Sequence, residues 1–175
     1  METLKYCKVR NVKSPARAHS TDAGIDWFVP EDLTLSEMQE KDKMTGCSPQ
    51  YCRNEKGFIE TIVLQPGQSV LIPSGIKVKV PDGYAMIYDN KSGVASKKSL
   101  LVGSSVVDIG YQGICHINLH NVSNEAQLIH AGDKIVQSIM YKIGFHSPEE
   151  VPESELYADG TSERGEGGFG SSGTK

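Results

Sequence analysis

No stretch of the 175 residues approaches the roughly 20 consecutive apolar positions of a membrane span, so no membrane partner is expected. Cysteine is sparse. Cys7, Cys47, Cys52 and Cys115 are irregularly spaced, and no second close Cys or His pair accompanies Cys47 and Cys52, which argues against a zinc site. Reduced thiols in a cytoplasmic protein are the simpler reading. The opening METLKYCKVR is too polar for a signal peptide. Positive charge is not in excess either. With 18 Lys and Arg against 22 Asp and Glu, the net charge is −4; no broad nucleic-acid-binding face is expected, although a local cationic pocket is permitted. Long helical periodicities are also scarce. One domain is the default at this length, and its core needs neither metal nor disulfide.

What is present is a series of short strands. Leu4 to Val9 reads as the first, and Ile25 to Phe28 follows a polar turn at Ser20-Thr21-Asp22. From Thr61 the pattern is regular: Thr61 to Leu64, Ser69 to Ile72, Ile76 to Val80 and Tyr84 to Tyr88, split by Pro66-Gly67, Pro73-Ser74-Gly75 and Pro81-Asp82-Gly83. Strands at such spacing predict an all-β sandwich or barrel. Lys134 to Ile143 is the last good strand.

Other segments break the pattern. Glu31 to Glu60 is charged, poor in aliphatics and without a clean period, and predicts a surface excursion rather than core. Ser92 is a good helix N-cap residue, and Val94 to Lys98 is expected to form one short helix. A strand entering a helix N-terminus through Ser-Gly suits an anion, with Lys91 adding charge; a capped helix with solvated lysines is the plainer alternative. From Phe145 the chain loses periodicity and reads as an extended arm, ending in a glycine-rich tail. Composition alone makes the tail a flexible linker, but its amides could wrap phosphates, Arg164 could grip a phosphate, and Phe169 could stack on a base.

The stretch Leu101 to Asn118 reads as a β-hairpin with Asp108 and Tyr111 at its bend, both able to face a cleft. Beyond it, Cys115, Ile117 and Leu119 alternate with His116, Asn118 and His120. Two further polar residues lie among apolar ones. Asp26 is costly there unless it is hydrogen-bonded or faces a charged site. Gln137 either satisfies a neighbouring backbone group or donates to a phosphate.

Five stretches, in order, resemble the motifs of the trimeric dUTP diphosphatases (dUTPases). They are Ala23-Gly24-Ile25-Asp26, Lys91-Ser92-Gly93-Val94-Ala95, Val106 to Gly113, Gly132 to Gln137, and Arg164 to Gly173. The resemblance covers nearly the whole chain. It leaves out a charged insert at about 37–58, for which a protein partner is one expectation. It implies a jelly-roll-like β-sandwich over 1–145, with 146–175 forming an extended arm and glycine-rich lid. It also implies a homotrimer with shared sites: the first, second and fourth motifs come from one subunit, the third from another, and the tail from the remaining one.

The implied reaction is hydrolysis of dUTP to dUMP and pyrophosphate, with Mg2+ held by the triphosphate and waters. By resemblance, Asp108 deprotonates the water attacking the α-phosphorus, and Tyr111 packs under the deoxyribose. Backbone groups near Val106, Val107 and His116 pair with uracil. Lys91, Ser92, Gly93 and Gln137 hold phosphates. Arg164 takes the terminal phosphate, and Phe169, with Gly170 and Ser171 beside it, closes over the base. Asp26 is expected to reach the metal only through its waters. Two positions depart from the family pattern: Lys91 replaces the usual Arg, losing its planar fork, and Gly110 stands where a second Asp is common.

Two rivals compete. A dCTP deaminase shares the fold and the DxGxxG pattern, but Asn118 stands where that chemistry needs a proton-carrying glutamate. A nucleotide-sensing or partner-binding protein on the same scaffold would not need Asp108 and the tail intact.

Overall fold

The computed structural model describes residues 3–158 together with Gly160, Gly165 and Gly167. The chain divides into two units, residues 1–144 and 145–175. The first contains β1 (Lys5–Lys8), β2 (Ile25–Phe28), α1 (Leu35–Thr45), β3 (Gln50–Arg53), β4 (Ile59–Leu64), β5 (Ser69–Pro73) and β6 (Ile76–Lys79). It continues with β7 (Tyr84–Asn90), α2 (Ser92–Lys98), β8 (Leu100–Val102), β9 (Val106–Val107), β10 (His116–Asn121), β11 (Gln127–His130) and β12 (Lys134–Lys142). Among the described residues of the second unit, there is one short helix, α3 (Glu153–Leu156).

The strands assemble in the orders β2-β12-β7-β9, β5-β10-β8, β11-β4-β3 and β1-β6. This is the jelly-roll-like β fold expected from the strand spacing and the resemblance. Period-two patterning decides which faces turn inward. In β6, Ile76 and Val78 are buried while Lys77 and Lys79 are exposed. Trp27, Ile72, Met86, Ile117 and Leu119 join one core at 0 % exposure. The turn before β6 needs glycine: Gly75 has φ +71°, and a Cβ there would collide with the Arg10 side chain.

The structure departs from the sequence reading in three places. The first is Glu31 to Glu60, which is folded rather than a surface excursion. Thr34 and Glu37 form a reciprocal capping box at the start of α1, and Gly46 closes it in the left-handed conformation. Leu33 and Met38 are fully buried, Arg10 bonds Glu37, and β3 pairs antiparallel with β4. With Ile59, Leu33 and Met38 are the few core side chains of this segment, too widely spaced to make a visible period. The second is α2, where Lys91, not Ser92, occupies the N-cap and Ser92 is the first helical residue. The third is the central hairpin. Its paired arms are β8 and β10, whereas Val106 and Val107 cross to β7 in another sheet.

If Met38 anchors the insert, Met38→Ala should lower the unfolding free energy by about 2–5 kcal/mol. Met44, 71 % exposed on the same helix, should tolerate Ala with a change of only about 0.5 kcal/mol. Urea denaturation of the two variants checks this.

Candidate active site

Two groups of polar residues stand at opposite ends of β7. The first gathers around Asp26. This carboxylate sits in β2, 5 % exposed, across the ladder from Gln137 of β12. Its two oxygens are each met by an ammonium group: Lys91 Nζ at 2.7 Å from Oδ1 and Lys134 Nζ at 2.9 Å from Oδ2. Burial pushes the Asp26 carboxyl up, but the two lysines outweigh it and hold the group below its ordinary value. Lys91 caps α2, whose Ser92 and Gly93 are exposed beside it. Gln137 donates through Nε2 to the Asn90 carbonyl at 2.8 Å, which ties the end of β7 to β12. The outcome is a cation pair on a buried anion, next to two exposed small residues: an arrangement that can receive a polyanion.

The second group lines a cavity of about 160 Å³ in the loop between β8 and β10. Val106, Val107, Asp108, Tyr111, Cys115 and His116 border it, with Leu71 and Tyr88 behind. Asp108 and Tyr111 are both exposed, joined by a turn in which Tyr111 N donates to the Asp108 carbonyl at 3.1 Å. The Tyr111 hydroxyl donates to the Ile114 carbonyl at 2.9 Å, which fixes the ring over the loop. Gly113 permits this, because a Cβ there would collide with that hydroxyl. Burial lowers the His116 pKa, and Lys41 of α1 adds to the effect. Asn118 braces the loop: Ser104 N donates to its Oδ1 at 3.1 Å, and its Nδ2 donates to the Val70 carbonyl at 3.1 Å.

The ladder keeps these groups apart. Val107 lies opposite Met86, so Asp108 leaves its strand at the Met86 end of β7, while Lys91 lies past Asn90 at the other. Five positions of extended strand, at about 3.3 Å each, come to roughly 16 Å. The backbone of Asp108 and that of Lys91 are therefore well separated along β7.

A family model for dUTPase matches residues 58–173, starting where the charged insert ends. The chain belongs to the dUTPase family. It is 30 % identical over 167 residues to a deoxyuridine 5'-triphosphate nucleotidohydrolase of Mycobacterium sp. (strain JLS), a match covering 94 % of this chain and 90 % of that one. A second such relative, from Shewanella loihica (strain ATCC BAA-1088 / PV-4), is 37 % identical over 124 residues, covering 69 % of this chain and 78 % of its own. Among solved structures, the dUTPase of Staphylococcus bacteriophage 80alpha with dUPNHPP superposes with a TM-score of 0.70 at 27 % identity, over 99 % of this chain and 100 % of that one. The dUTPase of phage phi11 of S. aureus, a structure that visualises a species-specific insert, superposes with a TM-score of 0.64 at 25 % identity, over 88 % and 99 %.

Within this dUTPase-family chain, the sequence-predicted residues fall into the two groups as follows. Lys91, Ser92, Gly93, Gln137 and Asp26 share the first; Val106, Val107, Asp108, Tyr111 and His116 share the second. Arg164, Phe169, Gly170 and Ser171 lie outside the described residues. Sequence reasoning missed Lys134, the second cation on Asp26. A buried Asp signalled that some partner was needed, but only strand pairing identifies which lysine reaches it.

Because its folded pKa is depressed, Asp26 contributes stability above its ordinary value of 3.8 that is lost as pH falls through the lower folded value. Asp26→Asn should therefore cost about 2 kcal/mol at neutral pH. Screening of lysines that are 27 % and 39 % exposed keeps the cost below that of a fully buried pair. The gap between wild type and variant should narrow as pH drops below 3.8. Thermal unfolding across pH measures it.

Proposed function

We propose that this protein is a dUTP diphosphatase, converting dUTP to dUMP and pyrophosphate in sites shared between three copies of the chain. The observation that carries this reading is the separation of Asp108 from the Lys91–Asp26–Lys134 cluster along β7. Family membership and the likeness to a phage dUTPase holding dUPNHPP supply the substrate.

In this reading the cavity beside Asp108 takes the uracil and sugar. Backbone groups at Val106, Val107 and His116 pair with the base edge, and leaving them unmatched disfavours cytosine. Tyr111, fixed by its bond to Ile114, packs under the deoxyribose and leaves no room for a 2′-hydroxyl. Another copy's Lys91, Ser92 and Gly93 hold the phosphates, with Gln137 bracing the strand end that carries them. Asp108 orients a water toward the α-phosphorus and accepts its proton; pyrophosphate leaves as the Pα–O–Pβ bond breaks. Arg164 and Phe169 of the tail, with Gly170 and Ser171, close over the terminal phosphate and base and exclude bulk water.

Among the described residues no three His, Cys, Asp or Glu side chains converge to cage a metal. That donor set fits Mg2+ arriving on the triphosphate, where it would neutralise phosphate charge. Asp26 already accepts from two lysines, so it orients cations first and has only its remaining lone pairs for a metal-bound water. Asn118 argues against the deaminase alternative. Its amide is committed to Val70 and Ser104, and a carboxamide is neither acid nor base enough to shuttle a proton. The 37–58 insert, folded and capped, is proposed as a surface for a protein partner.

Asp108→Asn should reduce dUTP turnover by about 100-fold or more while sparing nucleotide binding; pyrophosphate release and calorimetry measure the two. Lys91→Met should also be nearly inactive. Co-expression of the two variants should restore activity, to about a quarter of wild-type sites if copies mix at random. Mixtures no more active than either variant alone would show that the acid and the cation act within one chain.

A further inference from the structure

Lys134 lies within the fourth motif, but its ammonium reaches Asp26 only because β12 is irregular. Gln137 sits opposite Asp26 and Val136 opposite Trp27, yet Phe28 is met by Lys134, and Ile135 is left unpaired between them as a bulge. Directly opposite side chains of an antiparallel pair share a face, as do residues two apart on one strand. Pairing with Phe28 therefore turns Lys134 to the face of Asp26. In a regular ladder Ile135 would meet Phe28, and Lys134, three positions before Gln137, would project from the other side. The bulge also leaves two successive side chains buried, Ile135 at 3 % and Val136 at 0 % exposure.

Two cations on one buried acid are more than its charge requires. Asp26 is 5 % exposed, and Lys91 Nζ, 2.7 Å from Oδ1, would balance it alone. Lys134 Nζ takes the other oxygen at 2.9 Å. The two lysines differ in their surroundings. The Lys91 backbone is fixed at the start of α2, where its carbonyl accepts from Val94 N and Ala95 N, both at 2.9 Å, and the exposed Ser92 and Gly93 follow it. Lys134 sits instead in the ladder beside β2. As sole counter-ion, Lys91 would strand a buried carboxylate by turning to a phosphate, which is strongly unfavourable. With Lys134 on the second oxygen, most of that penalty disappears.

We propose that Lys134 is a positioning residue: it stays on Asp26 as the resident counter-ion and so frees the Lys91 ammonium to turn from Asp26 to a substrate phosphate. The inference rests on the dUTP reading and deepens it at the phosphate end of the site. It gives two similar lysines different tasks, since Lys91 meets the nucleotide and Lys134 acts through Lys91.

A double-mutant cycle with Asp26 separates this role from direct contact and from simple structural support. Lys134→Met should weaken binding of inorganic tripolyphosphate, measured by calorimetry, about tenfold, the worth of one hydrogen bond to a charged group. Its KM for dUTP should rise by a similar factor while kcat stays within about threefold. Lys134→Arg, which keeps the charge, should bring tripolyphosphate affinity back to within about threefold of wild type. Asp26→Asn removes the acid that holds Lys91, so adding Lys134→Met to it should change tripolyphosphate binding by less than about twofold. A loss that persists in the Asp26→Asn background would overturn the proposal, because it would put Lys134 itself on the phosphates. Unchanged binding in Lys134→Met would overturn it too, whatever the melting temperature does. Where Lys134→Met does not fold, the comparison within the Asp26→Asn background, which leaves no buried charge, decides alone. Wild-type inactivity toward dUTP sinks the underlying reading, whereas an active wild type with an additive cycle sinks only Lys134.

Discussion

Strand β7 is the constraint on which the site depends. It is paired along its whole length with β12 and near its start with β9. A strand hydrogen-bonded on both edges neither shortens nor bends to bring its ends together. Asp108 is held near one end and Lys91 begins at the other, and the proposed division of a site between copies rests on that spacing. In the proposed reading, assembly of several copies brings the two ends together around one nucleotide.

The cationic end is built around a cost. A buried carboxylate such as Asp26 is unfavourable alone, and two lysines make it tolerable. The same contacts restrain two flexible side chains that would otherwise lose conformational freedom on meeting a phosphate. This bears on the replacement of the family's usual Arg by Lys91. A lone lysine offers a point charge without a planar fork. Anchored by Asp26 and accompanied by Lys134, it belongs to a preset pair, and pairing recovers part of the order that the fork would supply.

The insert shows how little apolar surface a folded segment needs when its ends are well capped. Helix α1 is polar over most of its length. The capping box of Thr34 and Glu37, the left-handed Gly46, and burial of Leu33 and Met38 hold it. Arg10 ties Glu37 to the same structure, under a turn that only Gly75 can make. An addition absent from the family's shared motifs is thus continuous with the core.

Local chemistry alone determined much of this protein. Alternation in Ile76 to Val80 set a strand with one buried face of Ile and Val, Pro-Gly pairs set the turns, and the five motifs named the family, because each of these depends on neighbours within a few residues. The Thr34–Glu37 capping box went unread, because the charge around it favoured a loop. Tertiary structure alone decided the pairing of Val106 and Val107 with β7 and the choice of Lys134 as the second cation on Asp26. Those outcomes turn on strand register between segments far apart in the chain, and register is a property of the packed sheet that no local window contains.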